Sequence, residues 1–236
     1  MKSNDPNTTT DRRSFIGTIA TGAAAMSLAT LASPLQSVAA GTGRLHHAPN
    51  DDDPDAWFNK LKGKHKIVFD CTEPNGVFPF AWPRVFLMTN QLTGTPEKDS
   101  NVVVILRHNA IPYAMNSSAW TKYKFGDVFK INDDMTKASA VRNAFWKPSP
   151  GDFKIPGVGN VAIGINELQD SGVMFCVCNM ALTVFSAAVA QGMGMNAADV
   201  KKDWVDNLLP GIQIVPSGVW AVGRAQEHGC AYCFAG

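Results

Sequence analysis

The chain has 236 residues, of which 45% are apolar and 17% charged, the make-up of an ordinary globular core. Its formal net charge of +1 leaves no electrostatic footprint for nucleic acid or an anionic membrane surface. No P-loop, G-x-S-x-G, H-E-x-x-H or G-x-G-x-x-G motif is present, so those phosphate-binding and hydrolytic signatures are excluded.

In chain order, the first segment is an address. Asp11-Arg12-Arg13-Ser14-Phe15-Ile16-Gly17 resembles the twin-arginine (Tat) export motif. Residues 15–31 are mostly Ala, Gly, Thr and Ser, too weakly apolar to favour a stable membrane-spanning helix although long enough for one, so an uncleaved anchor and a cytoplasmic chain with an Ala-rich tail are the alternative readings. Ser37-Val38-Ala39 fits a small-x-small cleavage rule, so the reading is a signal peptide over 1–40, cut near Ala39-Ala40. A polar linker follows over 41–56, carrying His46-His47 and Asp51-Asp52-Asp53, and a single domain over 57–236. The expected destination is the periplasm, with the Tat translocase as partner during export. Chains on that route fold in a reducing compartment and work in an oxidising one.

Within the domain, apolar runs suited to buried strands alternate with helical patterns. Residues 65–70 read as a first strand, followed by a helix over 80–92 that stops at Thr93-Gly94-Thr95-Pro96. Asn101-Val102-Val103-Val104-Ile105-Leu106 is the clearest strand, continuous and β-branched, and therefore buried on both faces. A polar, aromatic stretch leads to an expected helix over 133–145. Pro148, Pro150, Gly151, Pro156, Gly157 and Gly159 then mark a long loop. The remaining expectations are a helix over 161–170, a strand over 172–178, an Ala-rich helix over 180–191, a strand over 208–215, a helix over 218–227 and a short final strand. Met193 and Met195 flank a Gly-rich turn that suits a pocket wall or an interface. This alternation predicts an α/β fold in three layers, a mainly parallel five-stranded sheet with helices on both faces.

Five cysteines carry most of the chemistry: Cys71, Cys176, Cys178, Cys230 and Cys233. In an open parallel sheet, reactive groups gather beyond the carboxyl ends of the strands, which is where Cys71, Cys176 and Cys178 fall. Cys176 and Cys178, two apart on a strand, point to the same side. Their Cα atoms would lie roughly 6.5–7 Å apart, at or past the reach of a relaxed disulfide. Two thiolates sharing a metal, or a reactive thiol beside a helper, fit that spacing; so does a pair of small buried side chains. Cys178 also directly precedes a helix, whose positive end favours negative charge on its sulfur. Cys230-Ala231-Tyr232-Cys233 has CxxC spacing but lies in a strand-like segment, which argues against thioredoxin-type chemistry. His108 closes the strong strand behind Arg107 and reads equally as a ligand, a proton partner or a partner for backbone carbonyls.

Four segments then resemble the DsrE/DsrF-like sulfur-relay family, with a DsrE-like, flavodoxin-like topology. They are Val102-Val103-Val104-Ile105-Leu106-Arg107-His108-Asn109, residues 168–179 around Phe175-Cys176-Val177-Cys178-Asn179, residues 209–219 from Leu209-Pro210-Gly211 to Gly218-Val219, and Gln226-Glu227-His228-Gly229-Cys230-Ala231-Tyr232. The resemblance implies a carrier that holds sulfane sulfur as a persulfide on one cysteine. Cys178 matches that position, with Cys176 as helper and His108 as proton partner. It also implies sulfur-donor and sulfur-acceptor proteins or small sulfur compounds as partners, and assembly as a homo-oligomer, a trimer or hexamer. Asn109 stands where the family commonly has Gly, and Cys176, Cys230 and Cys233 are additions to the family pattern. These additions keep open a metal-binding or electron-transfer module in which Cys176, Cys178, Cys230 and His228 hold copper, zinc or iron. A non-catalytic oligomeric binding protein is the third reading.

Overall fold

A computed structural model describes residues 54–236. The expected signal peptide and most of the linker lie outside the described residues. The first described element is a 3-10 turn, Ala56–Lys60, which buries Trp57 and Phe58.

The main sheet contains β1 His65–Cys71, β2 Ser100–Leu106, β5 Met174–Cys178, β6 Ile212–Val215 and β7 Ala231–Phe234. Its spatial order is β6-β5-β2-β1-β7, and every neighbouring pair is parallel. The expected five-stranded parallel α/β sheet is therefore what the chain forms. Two strands, β3 Lys154–Ile155 and β4 Gly159–Asn160, make a small separate hairpin inside the Pro/Gly-rich loop.

The period of two divides the sheet between two cores. Phe69, Val104 and Phe175 stand in register and face a thick layer. That layer comprises α1 Phe78–Leu92, the 3-10 segment His108–Ala114, α2 Ser117–Tyr123, α3 Phe125–Phe129, α4 Ile165–Asp170, α5 Asn179–Met193 and α6 Ala197–Asp206. Val68, Val103, Ile105 and Cys176 face the other way, beneath α7 Gly218–Glu227 and the Trp57-Phe58 turn. Ala221 and Ala225 give α7 its close approach to that face.

Strand order explains the asymmetry. Parallel crossovers are right-handed, so the direction of each step decides which face its helix covers. From β1 through β2 and β5 to β6 the chain steps one way, and the connecting helices share one face. From β6 it returns across three strands to β7, which puts α7, unlike the other crossover helices, on the opposite face. Numbered along the chain, the five strands run 4-3-2-1-5. The flavodoxin likeness thus holds for the layers and crossovers but not for the strand order, which in that fold is 2-1-3-4-5.

Several local expectations are corrected. No helix forms over 133–145. The Asp133 carboxylate accepts from the backbone N–H of Met135 at 2.8 Å and pairs with Arg142 at 2.8 Å, giving a side-chain-stabilised turn. The strand expected over 208–215 starts only at Ile212, because Pro210 has no N–H and Gly211 turns the chain at φ +78°. The helix expected over 161–170 starts at Ile165, where Glu167 reaches back to the Gly164 N–H at 2.8 Å. Helices α2, α3 and α6 fall in segments without an assigned helix. Among the described residues no helix is long and apolar enough to cross a membrane.

Candidate functional site

β5 feeds α5 on one face, whereas its neighbour β6 feeds α7 on the other. Where adjacent strands send their chains to opposite faces, a crevice opens beyond their carboxyl ends. A cavity of about 490 Å³ lies there, lined among others by Arg107, His108, Cys178, Met180, Phe185 and Ser217. A second cavity of about 210 Å³ lies apart from it, between Tyr113, Asp133 and Phe153. None of the five cysteines lines that second cavity.

Cys178 is the last residue of β5 and the N-cap of α5, and only 6% of it is exposed. Its Sγ accepts the backbone N–H of Ala181 at 3.2 Å, the bond that a capping Ser or Asp side chain makes at a helix start. The sulfur therefore stands at the positive end of a four-turn helix, where negative charge is favoured. Across the crevice, Ser217 caps α7 by accepting from the Trp220 N–H at 3.2 Å. Two helix starts converge on one cavity.

Arg107 extends β2 by one residue, its N–H donating to the Cys71 carbonyl at 3.0 Å. Its guanidinium donates from Nε and Nη2 to the two oxygens of Asp70, at 2.6 and 2.8 Å. Asp70 is only 2% exposed and also accepts from Tyr232 Oη at 2.9 Å. The hydrogen bond to Asp70 holds the Arg107 guanidinium above its ordinary range against the opposing effect of burial, and the nearby Cys178 sulfur adds to it. Burial, then the bond to Asp70, raises the Tyr232 phenol. The stem of Arg107 crosses Gly218: a Cβ there would fall 2.6 Å from the Arg107 Cβ and closer still to its Cδ.

His108 adopts a left-handed backbone at φ +52°, reversing the chain out of β2. Its Nδ1 pairs with Glu73 Oε1 at 3.0 Å, and Asn109 Nδ2 donates to the other Glu73 oxygen at 2.8 Å. The ring meets Phe185 edge-on at 5.6 Å. His108 and Cys178 thus share the cavity, but His108 bonds to Glu73 rather than to the sulfur.

The other cysteines lie elsewhere. Cys176 is fully buried, in register between Ile105 and Gln213 in the core beneath α7, and its thiol is pushed up by burial. It does not line the cavity. Cys71 is fully buried on the opposite face of the sheet, its thiol raised first by burial and then by the charge of Asp70. Burial pushes the Cys230 thiol up to about 11. All five cysteines are free thiols.

The metal set Cys176, Cys178, Cys230 and His228 is not brought together. Ala231 pairs with Ile67, so Cys230 sits at the amino edge of the sheet. Cys178, one residue past the Leu106–Val177 level, sits at the carboxyl edge. At a strand rise near 3.3 Å, the two are roughly 20 Å apart along the strands alone. His228 stacks on Phe58, with ring centroids 5.9 Å apart. Among the described residues no three His, Cys, Asp or Glu side chains are grouped to hold a metal ion.

Asp70, Tyr232, Ser217 and Gly218 belong to the site or its support, although none of them was given a role there from sequence. The usable signal was Asp70, a charge closing a buried apolar strand, and Ser217-Gly218, an N-cap pair opening a helix.

No protein-family model matches the chain. No curated protein matches it either. A solved structure, that of MTH1491, a protein of unknown function from Methanobacterium thermoautotrophicum, is similar at 19% identity. The match covers 72% of this chain and 98% of that chain, with a TM-score of 0.33, and says nothing of function.

Proposed function

We propose that this protein is an exported sulfur carrier that holds sulfane sulfur as a persulfide on Cys178. The observation that carries the reading is the position of its sulfur: at a helix N-cap, bonded by the Ala181 N–H, and open to the cavity between α5 and α7. A donor persulfide presents its outer sulfur, the Cys178 thiolate attacks it, and the donor S–S bond breaks with its electron pair leaving on the donor thiolate. An acceptor thiolate repeats the step on the outer sulfur of the Cys178 persulfide. No net oxidant is consumed.

Donor and acceptor proteins or small sulfur compounds are the proposed partners. The proposed location is the periplasm, reached through the twin-arginine address. A homo-oligomer is part of the proposal, supported by the exposed apolar side of α1, where Phe78, Trp82, Val85 and Leu92 are from 39% to 81% exposed.

The test loads the purified protein with inorganic polysulfide, removes the excess and offers a small acceptor thiol. One transferable sulfur per chain is expected in the wild type and none in Cys178→Ser. Undiminished transfer by Cys178→Ser would contradict the proposal.

A further inference from the structure

Among the described residues, Arg107 contributes the only Lys or Arg side chain to the cavity wall, and no carboxylate lines it. A guanidinium has five N–H donors. Asp70 takes the Nε and Nη2 edge, which leaves three donors with no acceptor among the described residues. Two of them, one on Nη1 and one on Nη2, form the parallel outer edge that matches the two oxygens of a carboxylate or sulfonate. Asp70 does not line the cavity, and its two bonds are made on the other edge of the guanidinium. The first turns of α5 and α7 add further N–H groups of the same polarity. Met180, Val184, Phe185 and Val219 supply the apolar part of the wall.

We infer that Arg107, fixed by Asp70 and Tyr232, makes this cavity selective for anionic sulfur compounds, those with an oxyanion group a few bonds from the sulfur that Cys178 attacks. The inference rests on Cys178 being the reacting sulfur. The Arg107 edge takes the oxyanion, and the S–S bond formed on Cys178 replaces the one broken in the donor, whose electron pair leaves with the anionic fragment.

The experiment compares two methanethiosulfonate reagents, sulfonatoethyl (anionic) and trimethylammonioethyl (cationic), by their modification rates at Cys178. Rates are read on the Cys178 peptide and normalised to a free thiol. In the wild type the anionic reagent is expected to be favoured by about tenfold or more at low salt, with the ratio falling as salt is added. The double variant Asp70→Asn/Arg107→Gln removes the ion pair as a unit, and its ratio is expected to fall toward one. Equal normalised rates in the wild type, a ratio indifferent to salt, or an undiminished ratio in the double variant would overturn the inference while leaving the carrier reading intact. A Cys178 that reacts with neither reagent until the chain is unfolded would overturn both. The salt dependence is read on the wild type, so the test stands even where the double variant fails to fold.

Discussion

Asp70 and Arg107 meet at two points, Nε to Oδ1 at 2.6 Å and Nη2 to Oδ2 at 2.8 Å, with the carboxylate all but sealed from water. The pair joins β1 to the end of β2, and Tyr232 ties it to β7. Removing one partner leaves the other charge underused in a poorly hydrated place. Asp70→Ala is expected to cost about 3 kcal/mol, since Arg107 retains some solvent contact, while Tyr232→Phe costs about 1 kcal/mol. Urea denaturation of both variants measures the two costs; equal and negligible effects would show that the pair does not support the site.

Gly218 is where α7 makes room for the Arg107 stem. Gly218→Ala is expected to displace that stem or the helix start, at about 1–3 kcal/mol. The same variant should lose most of the charge preference at Cys178. A Gly218→Ala protein of unchanged stability and unchanged preference would refute this packing relationship.

Cys178 has a capping task as well as the proposed chemical one, and two substitutions separate them. Cys178→Ser keeps an acceptor for the Ala181 N–H and should leave stability nearly unchanged while abolishing sulfur loading. Cys178→Ala loses both, at about 1 kcal/mol. Equal destabilisation by the two would argue against the cap.

Cys176 separates the helper expectation from the core position it occupies. Cys176→Ala is expected to cost about 1 kcal/mol through lost packing beneath α7 and to leave sulfur loading intact. Loss of loading in a folded Cys176→Ala protein would restore its role as helper.

Two carboxylates make stability depend on pH. Burial acts to raise Asp133, but the N–H of Met135, Arg142 and the N–H of Thr136 together hold it below the ordinary carboxylate range. The bonds from Tyr123 and then Lys122 lower Asp203. In both cases the unfolded chain takes up the proton first. Their stabilisation is therefore complete above about pH 4 and is lost as pH falls through the folded values. Urea midpoints measured from about pH 6 down to about pH 3 should decline, and Asp133→Asn should flatten part of the decline.

How much of this was legible in the sequence varied with how local the cause was. Strand β2 announced itself by an unbroken β-branched run, and α7 matched its expected bounds, 218–227, because Ser217 caps it and Gly229 ends it. Helix α6 buries only Val200 and Trp204 strongly and follows a Gly-rich turn, so its period was too faint to read. The turn after Asp133 was misread because one carboxylate, which captures nearby N–H groups, outweighs the helical pattern. Cys178 was readable from strand-to-helix order alone. Its surroundings were not: Tyr232 reaches Asp70 across 162 residues of sequence, and the opening between α5 and α7 follows from strand order, which no local pattern encodes.

The most direct measurement is the mass of the chain isolated from its own host without reductant or chelator, with each adduct mapped to its peptide. One or more extra sulfur atoms on the peptide carrying Cys178, removed by a thiol reductant, is the result expected of a persulfide carrier. A stoichiometric metal with no sulfur on that peptide, or sulfur on another cysteine instead, would contradict it.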